Sequence, residues 1–147
     1  MTLYAAYGSN LDPRQMLQRA PHSPHLGTGW LRGWRLTFGG EEIGWEGAVA
    51  TLAEDLAGSV FVSIYDLTSQ DEQSLDEWEG VNTRLYSKIR VRVDTLNGTQ
   101  LCYVYVLNSF EGGIPSMRYL EIMINAALEA GAPSDYIESL KKFGEQN

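Results

Sequence analysis

With 147 residues, 44% hydrophobic and 20% charged side chains, the chain has the composition of one globular domain, residues 1–147, around one core. A formal net charge of −8 with no basic run argues against nucleic acid or an anionic membrane surface as partner. No apolar stretch approaches the ~20 residues that cross a bilayer, and the single cysteine, Cys102, excludes an intrachain disulfide or a cysteine-rich metal site.

The chain opens on a short apolar strand, Thr2 to Tyr7, that breaks at Gly8-Ser9-Asn10. A marked helix start follows. Asp12 suits the N-cap, Pro13 the first helical position, and Gln15 the far side of a capping box, with Leu11 and Met16 as its hydrophobic staple. A glycine turn between strand and helix has two readings. It is either a tight connection built from turn-forming residues, or a set of backbone N–H groups facing an anion or developing oxyanion. The helix runs from Pro13 to Arg19 and ends before Pro21, where His22-Ser23-Pro24-His25 forms a polar loop without an acidic ligand pair.

From Gly27 to Phe38 the pattern alternates, with Trp30, Trp34, Leu36 and Phe38 on one face and Arg35 and Thr37 on the other. Arg32 shares the apolar face and must reach its edge. Gly39 to Gly47 is a glycine-rich loop carrying Trp45, either a lid or a side chain folded onto the core edge. Ala48–Leu52 and Ser59–Leu67 read as two strands separated by a turn at Glu54-Asp55. Thr68 and Ser69 open a second helix with Leu75 and Trp78 on its apolar stripe and Gly80 as its stop.

Leu85, Ser87, Ile89, Val91 and Val93 alternate with Tyr86, Lys88, Arg90 and Arg92, predicting a strand with one face inward. Asn97-Gly98 predicts a tight hairpin to a central strand, Leu101–Leu107, that buries Cys102. Ser116 caps a helix through Ala130 with Leu120, Ile124, Ala127 and Leu128 inward, and Gly131 lies past its end. A last helix runs from Ser134 to about Phe143, and Tyr136 belongs either to the core edge or to a dimer contact. The pattern predicts an α+β fold: a mostly antiparallel, strongly curved sheet or small barrel of about six strands with helices packed outside it.

Glu79 stands apart from the other acids of its helix. It occupies the last turn, where the negative end of the helix dipole disfavours the ionised form, and an inward position beside Trp78 adds desolvation in the same direction. Both raise its pKa toward the range of a general base at neutral pH. The alternative is a solvated glutamate of a terminal turn.

Tyr7-Gly8-Ser9-Asn10-Leu11 after an N-terminal strand, followed by Leu75-Asp76-Glu77-Trp78-Glu79-Gly80-Val81 and by Tyr86 leading a strand, resembles the γ-glutamylcyclotransferase superfamily, which includes the AIG2-like proteins. Pro115-Ser116 and Tyr119-Leu120-Glu121-Ile122 extend the resemblance, which touches most of the chain from Tyr4 to about Ile124. It implies a mixed β-barrel with flanking helices and a cavity at its mouth. Glu79 would be the catalytic acid/base; Tyr7, Gly8, Ser9, Asn10 and Leu11 would line the substrate site together with Tyr86 and Tyr119.

The implied reaction is attack of a γ-glutamyl compound's own α-amine on its γ-carbonyl, releasing 5-oxoproline and an amine without metal or cofactor. Lys88 stands where several members carry arginine, and Gly39 to Gly47 matches no family motif. The glutathione-specific branch has a glycine-loop pattern without this asparagine, so the resemblance points to other γ-glutamyl compounds. The expected protein is a cytoplasmic monomer or homodimer with no signal peptide and a small-molecule γ-glutamyl substrate as its partner. A non-catalytic binder of γ-glutamyl or carboxylate ligands on the same fold is the alternative. A serine hydrolase using Ser9 is disfavoured, because the G-x-S-x-G elbow is missing and the two histidines lie in one loop.

Overall fold

Five strands close into a barrel in the order β1-β3-β2-β4-β5, as seen in a computed structural model that describes residues 2–39, 47–81, 86–107 and 113–145. The strands are β1 (Thr2–Ala6), β2 (His25–Gly39), β3 (Val49–Leu67), β4 (Tyr86–Thr95) and β5 (Gly98–Leu107). The helices are α1 (Pro13–Arg19), α2 (Ser69–Trp78), α3 (Met117–Glu129) and α4 (Ser134–Gly144). Short β1 closes the barrel, pairing antiparallel with β3 and parallel with β5 through Tyr4 and Tyr103. The glycine loop that follows β1 is thereby fixed at one barrel end. Trp45 and Leu85 lie outside the described residues.

The strand count is five where six were expected, because β3 is continuous through Glu54-Asp55. Opposite β2 the register passes from Arg32↔Ser59 to Trp34↔Glu54, so the intervening residues of β3 bulge outward instead of ending the strand. Leu56 at the crest is fully exposed. Gly58 is required there, since a Cβ would lie 2.2 Å from the Trp34 carbonyl oxygen. The same irregularity corrects the expected alternation of β2. Leu31 is buried, Gly33 takes φ +88°, and beyond it Leu36 and Phe38 are buried. Arg32 points outward to Asp94 at 3.0 Å, so it does not share the apolar face.

Leu31, Val60, Val62, Val93, Val104 and Ala5 fill the barrel at 1% exposure or less. Helix α3 is capped by the Ser116 hydroxyl, which accepts from the Tyr119 N–H, and buries Tyr119, Leu120, Met123, Ala126 and Ala127. Leu128, expected inward, is 54% exposed, because the buried stripe runs through Met123 and Ala126. Tyr136 of α4 is at the core edge, its ring edge-on to Trp30 at 5.5 Å. Gly98 takes φ +100° at the tight β4–β5 turn.

Candidate active site

A cavity of about 160 Å³ opens at the barrel end where β1 gives way to the glycine loop. Its walls bring together most of the residues singled out in the sequence: Tyr7, Gly8, Ser9, Asn10, Glu79, Tyr86 and Tyr119. Leu11 is adjacent but not in the wall; at 2% exposure it is a core side chain. Sequence reasoning missed Tyr4, Arg19 and Tyr105, which also line the cavity.

The loop is a single 3-10 turn, Ser9–Leu11, closed by Leu11 N–H to Gly8 O and Asp12 N–H to Ser9 O, both 3.0 Å. Gly8 has φ −104°, so backbone freedom at positive φ is not its purpose. Close approach is. A Cβ on Gly8 would lie 3.1 Å from the Tyr119 hydroxyl and 3.2 Å from the Ala50 Cβ. The Tyr119 hydroxyl accepts the Ala50 N–H at 3.0 Å and the Ser9 N–H, locking loop, β3 and α3 together. Of the loop amides, those of Gly8 and Asn10 make no hydrogen bond among the described residues.

Asp12 caps α1 as expected, its carboxylate accepting the Arg14 N–H. The capping box does not form. Asp12 N–H already serves the 3-10 turn, and the Gln15 side chain turns instead to Ser9 Oγ at 2.6 Å. With its amide oxygen facing that way, Gln15 accepts from Ser9 Oγ and, at 2.9 Å, from Arg19 Nη1. Arg19 Nη1 also donates to Asn10 Oδ1 at 2.6 Å, and Asn10 Nδ2 donates to the Tyr4 hydroxyl at 2.9 Å. The legible signal for this network was the i, i+4 spacing of Gln15 and Arg19 on one face of α1.

Glu79 is the C-cap of α2, and Gly80 at φ +69° turns the chain away after it. Trp78, expected on the buried stripe, is 62% exposed and lies under the Arg19 guanidinium, 4.3 Å from ring centroid to Cζ. Burial pushes the Glu79 carboxyl up to about 7, with the Arg19 cation pulling the other way. Around it stand tyrosines. Tyr7 donates to the Tyr105 carbonyl oxygen, and Tyr105 donates to Asp76 Oδ1 at 2.7 Å. Burial holds the phenols of Tyr4, Tyr7, Tyr86 and Tyr105 well above their ordinary range, which keeps them neutral donors. The Tyr86 hydroxyl makes no hydrogen bond among the described residues and is open to a ligand.

A carboxyl poised near neutrality thus shares a cavity with unused backbone amides, a guanidinium and neutral phenols. Residues 59–140 match the AIG2-like family. The chain is 33% identical over 144 residues to the γ-glutamylcyclotransferase of Homo sapiens, covering 95% of this chain and 77% of that one. The chain belongs to the γ-glutamylcyclotransferase family of enzymes. The Mus musculus γ-glutamylcyclotransferase is 31% identical over the same share of this chain. A solved structure described as a γ-glutamyl cyclotransferase superposes with a TM-score of 0.90 at 32% identity, covering 95% of this chain and 86% of that one. The family's barrel and flanking helices, expected from the sequence motifs, are those observed.

Proposed function

We propose that this chain cleaves γ-glutamyl amines or peptides to 5-oxoproline and a free amine, with Glu79 as the single general acid/base. The observation that carries this reading is the half-buried Glu79 in the cavity lined by the glycine loop, where desolvation raises its carboxyl pKa to about 7. Near pH 7 such a group is populated in both protonation states. The carboxylate form takes a proton from the substrate's α-amine nitrogen as that nitrogen bonds to the γ-carbonyl carbon. The resulting acid form gives a proton to the amide nitrogen whose bond to that carbon then breaks.

Negative charge gathers on the carbonyl oxygen in the tetrahedral intermediate. The Gly8 and Asn10 amides are the fixed donors suited to receive it, and the Tyr86 hydroxyl adds a neutral donor. The walls fold the substrate so that amine and carbonyl approach to ~3–3.5 Å, which removes most of the entropic barrier of ring closure. Ser9 is a positioning residue in this scheme: its hydroxyl is engaged by Gln15 and its amide by Tyr119.

The test is release of 5-oxoproline from a panel of γ-glutamyl amino acids and γ-glutamyl amines. The proposal expects turnover of at least one panel member, abolished in Glu79→Gln. No turnover with any of them, or full rate in Glu79→Gln, contradicts it. Thermal stabilisation by these compounds without product would identify a non-catalytic binder instead.

A further inference from the structure

We infer that Arg19 receives a carboxylate of the substrate and so determines which γ-glutamyl compounds this protein binds; the inference rests on the proposed cyclotransferase reading. Three other cations are paired with acids, Arg14 with Asp12 and Glu129, Arg32 with Asp94 and Lys88 with Glu72 and Asp76, while Arg90 lies over the Tyr103 ring on the barrel's β4. Arg19 differs from the three paired cations, and unlike Arg90 it lines the cavity. Among the described residues it has no carboxylate within ion-pairing distance, although it is half-buried and the chain as a whole carries an eight-charge excess of acid. Its side-chain partners are neutral: Asn10 Oδ1, the Gln15 amide and the face of Trp78.

These contacts hold the guanidinium in place without an ion pair, and the Glu79 charge acts on it from beyond ion-pairing distance. A planar fork held rigid at a cavity wall is the arrangement that recognises a carboxylate through two parallel hydrogen bonds. Position supports the same assignment. Arg19 and Trp78 line the cavity and also an outer groove between α1 and α2, with Gln18, His22, Gln70, Ser74 and Asp71 along it, the Asp71 carboxylate being engaged by His22 N–H and the Ser23 hydroxyl. Arg19 therefore stands at the threshold between the enclosed end and the groove, and Glu79 and the Gly8 and Asn10 amides lie on the enclosed side alone. Two substrate carboxylates are within the chemistry of such a site: the α-carboxylate of the glutamyl head, and the carboxylate of a leaving amino acid passing out along the groove.

The experiment measures binding by calorimetry in a Glu79→Gln background, where ligand is not consumed. The probes are γ-glutamylalanine, which carries both carboxylates, and γ-glutamylethylamide, which carries only the first. Arg19→Gln is expected to weaken γ-glutamylalanine by roughly 10- to 100-fold, as loss of a charge-assisted hydrogen-bonded pair does. Arg19→Lys, which keeps the charge and loses the fork, weakens it less. An equal loss for both probes assigns the glutamyl α-carboxylate; a loss confined to γ-glutamylalanine assigns the leaving group. Affinities within twofold of the parent for both probes overturn the inference. If Arg19→Gln does not fold, Arg19→Lys decides alone: several-fold weakening supports it and unchanged affinity overturns it. Turnover is scored separately in the Glu79 protein. Arg19-dependent binding without 5-oxoproline removes the proposed activity and leaves this inference standing, whereas turnover with binding indifferent to Arg19 does the reverse.

Discussion

One turn of α2 separates two acidic settings that are handled in opposite ways. Asp76 and Glu72 face Lys88, whose ammonium contacts both, and the Tyr105 hydroxyl adds a hydrogen bond to Asp76. Burial works against that ammonium, but its bonds to Glu72 and Asp76 outweigh the loss and hold Lys88 above the ordinary lysine range. Glu79, one turn on, is desolvated with no ion-pairing partner among the described residues, and its carboxyl rises to about 7 against the pull of the Arg19 charge. An ion-paired cluster is a fastener between α2 and β4. A desolvated carboxyl in a cavity is suited to carry protons, the role proposed for Glu79.

The comparison breaks first at Glu79. Glu79→Gln should lower 5-oxoproline release by roughly 10²- to 10⁴-fold, the share that proton transfer contributes, while circular dichroism stays native. Lys88→Met should do the reverse, retaining turnover within a few-fold and lowering stability in urea by about 1–2 kcal/mol, since the cluster is only partly shielded from solvent. Turnover that falls as far in Lys88→Met as in Glu79→Gln would erase the distinction between the two settings.

Next in size is the pH dependence of stability. Unfolded, Glu79 releases its proton near 4.5; folded, it holds it to about 7. Between those values the native state binds more protons, so this group's contribution to stability falls as pH rises, by up to about 3 kcal/mol above pH 7. Denaturant melts of the native protein and Glu79→Gln should agree most closely below pH 4.5 and diverge above it, with the variant gaining.

Smaller again, Tyr119→Phe removes the acceptor for two buried amides, Ala50 and Ser9, and should cost about 1–3 kcal/mol in the same assay. Gly8→Ala presses on the Tyr119 hydroxyl and Ala50, and should lower kcat by roughly tenfold with little change in melting temperature, because it shifts the loop rather than the core.

What the sequence made legible was local. Asp12-Pro13 located the start of α1, Asn97-Gly98 the β4–β5 turn, and Ser116 the start of α3, because each signal is a backbone requirement met within a few residues. Glu54-Asp55 misled, since a turn-forming pair satisfies a bulge in a continuous strand as well as it satisfies a strand end. Gln15 misled because Asp12 N–H, the group it would have capped, is already used by Ser9 O. Glu79 and the loop were found through motifs. Arg19, Tyr4 and Tyr105 were not, because only barrel closure between β1 and β5 and the seating of α1 against α2 bring them to one cavity.

Whether desolvation outweighs the Arg19 charge and holds Glu79 near neutrality is read by a carboxyl-carbon NMR titration of the native protein, with Glu79 assigned by its absence in Glu79→Gln. A midpoint near 7 is the predicted result. A midpoint near 4.5, the value of an ordinary solvated glutamate, would contradict it.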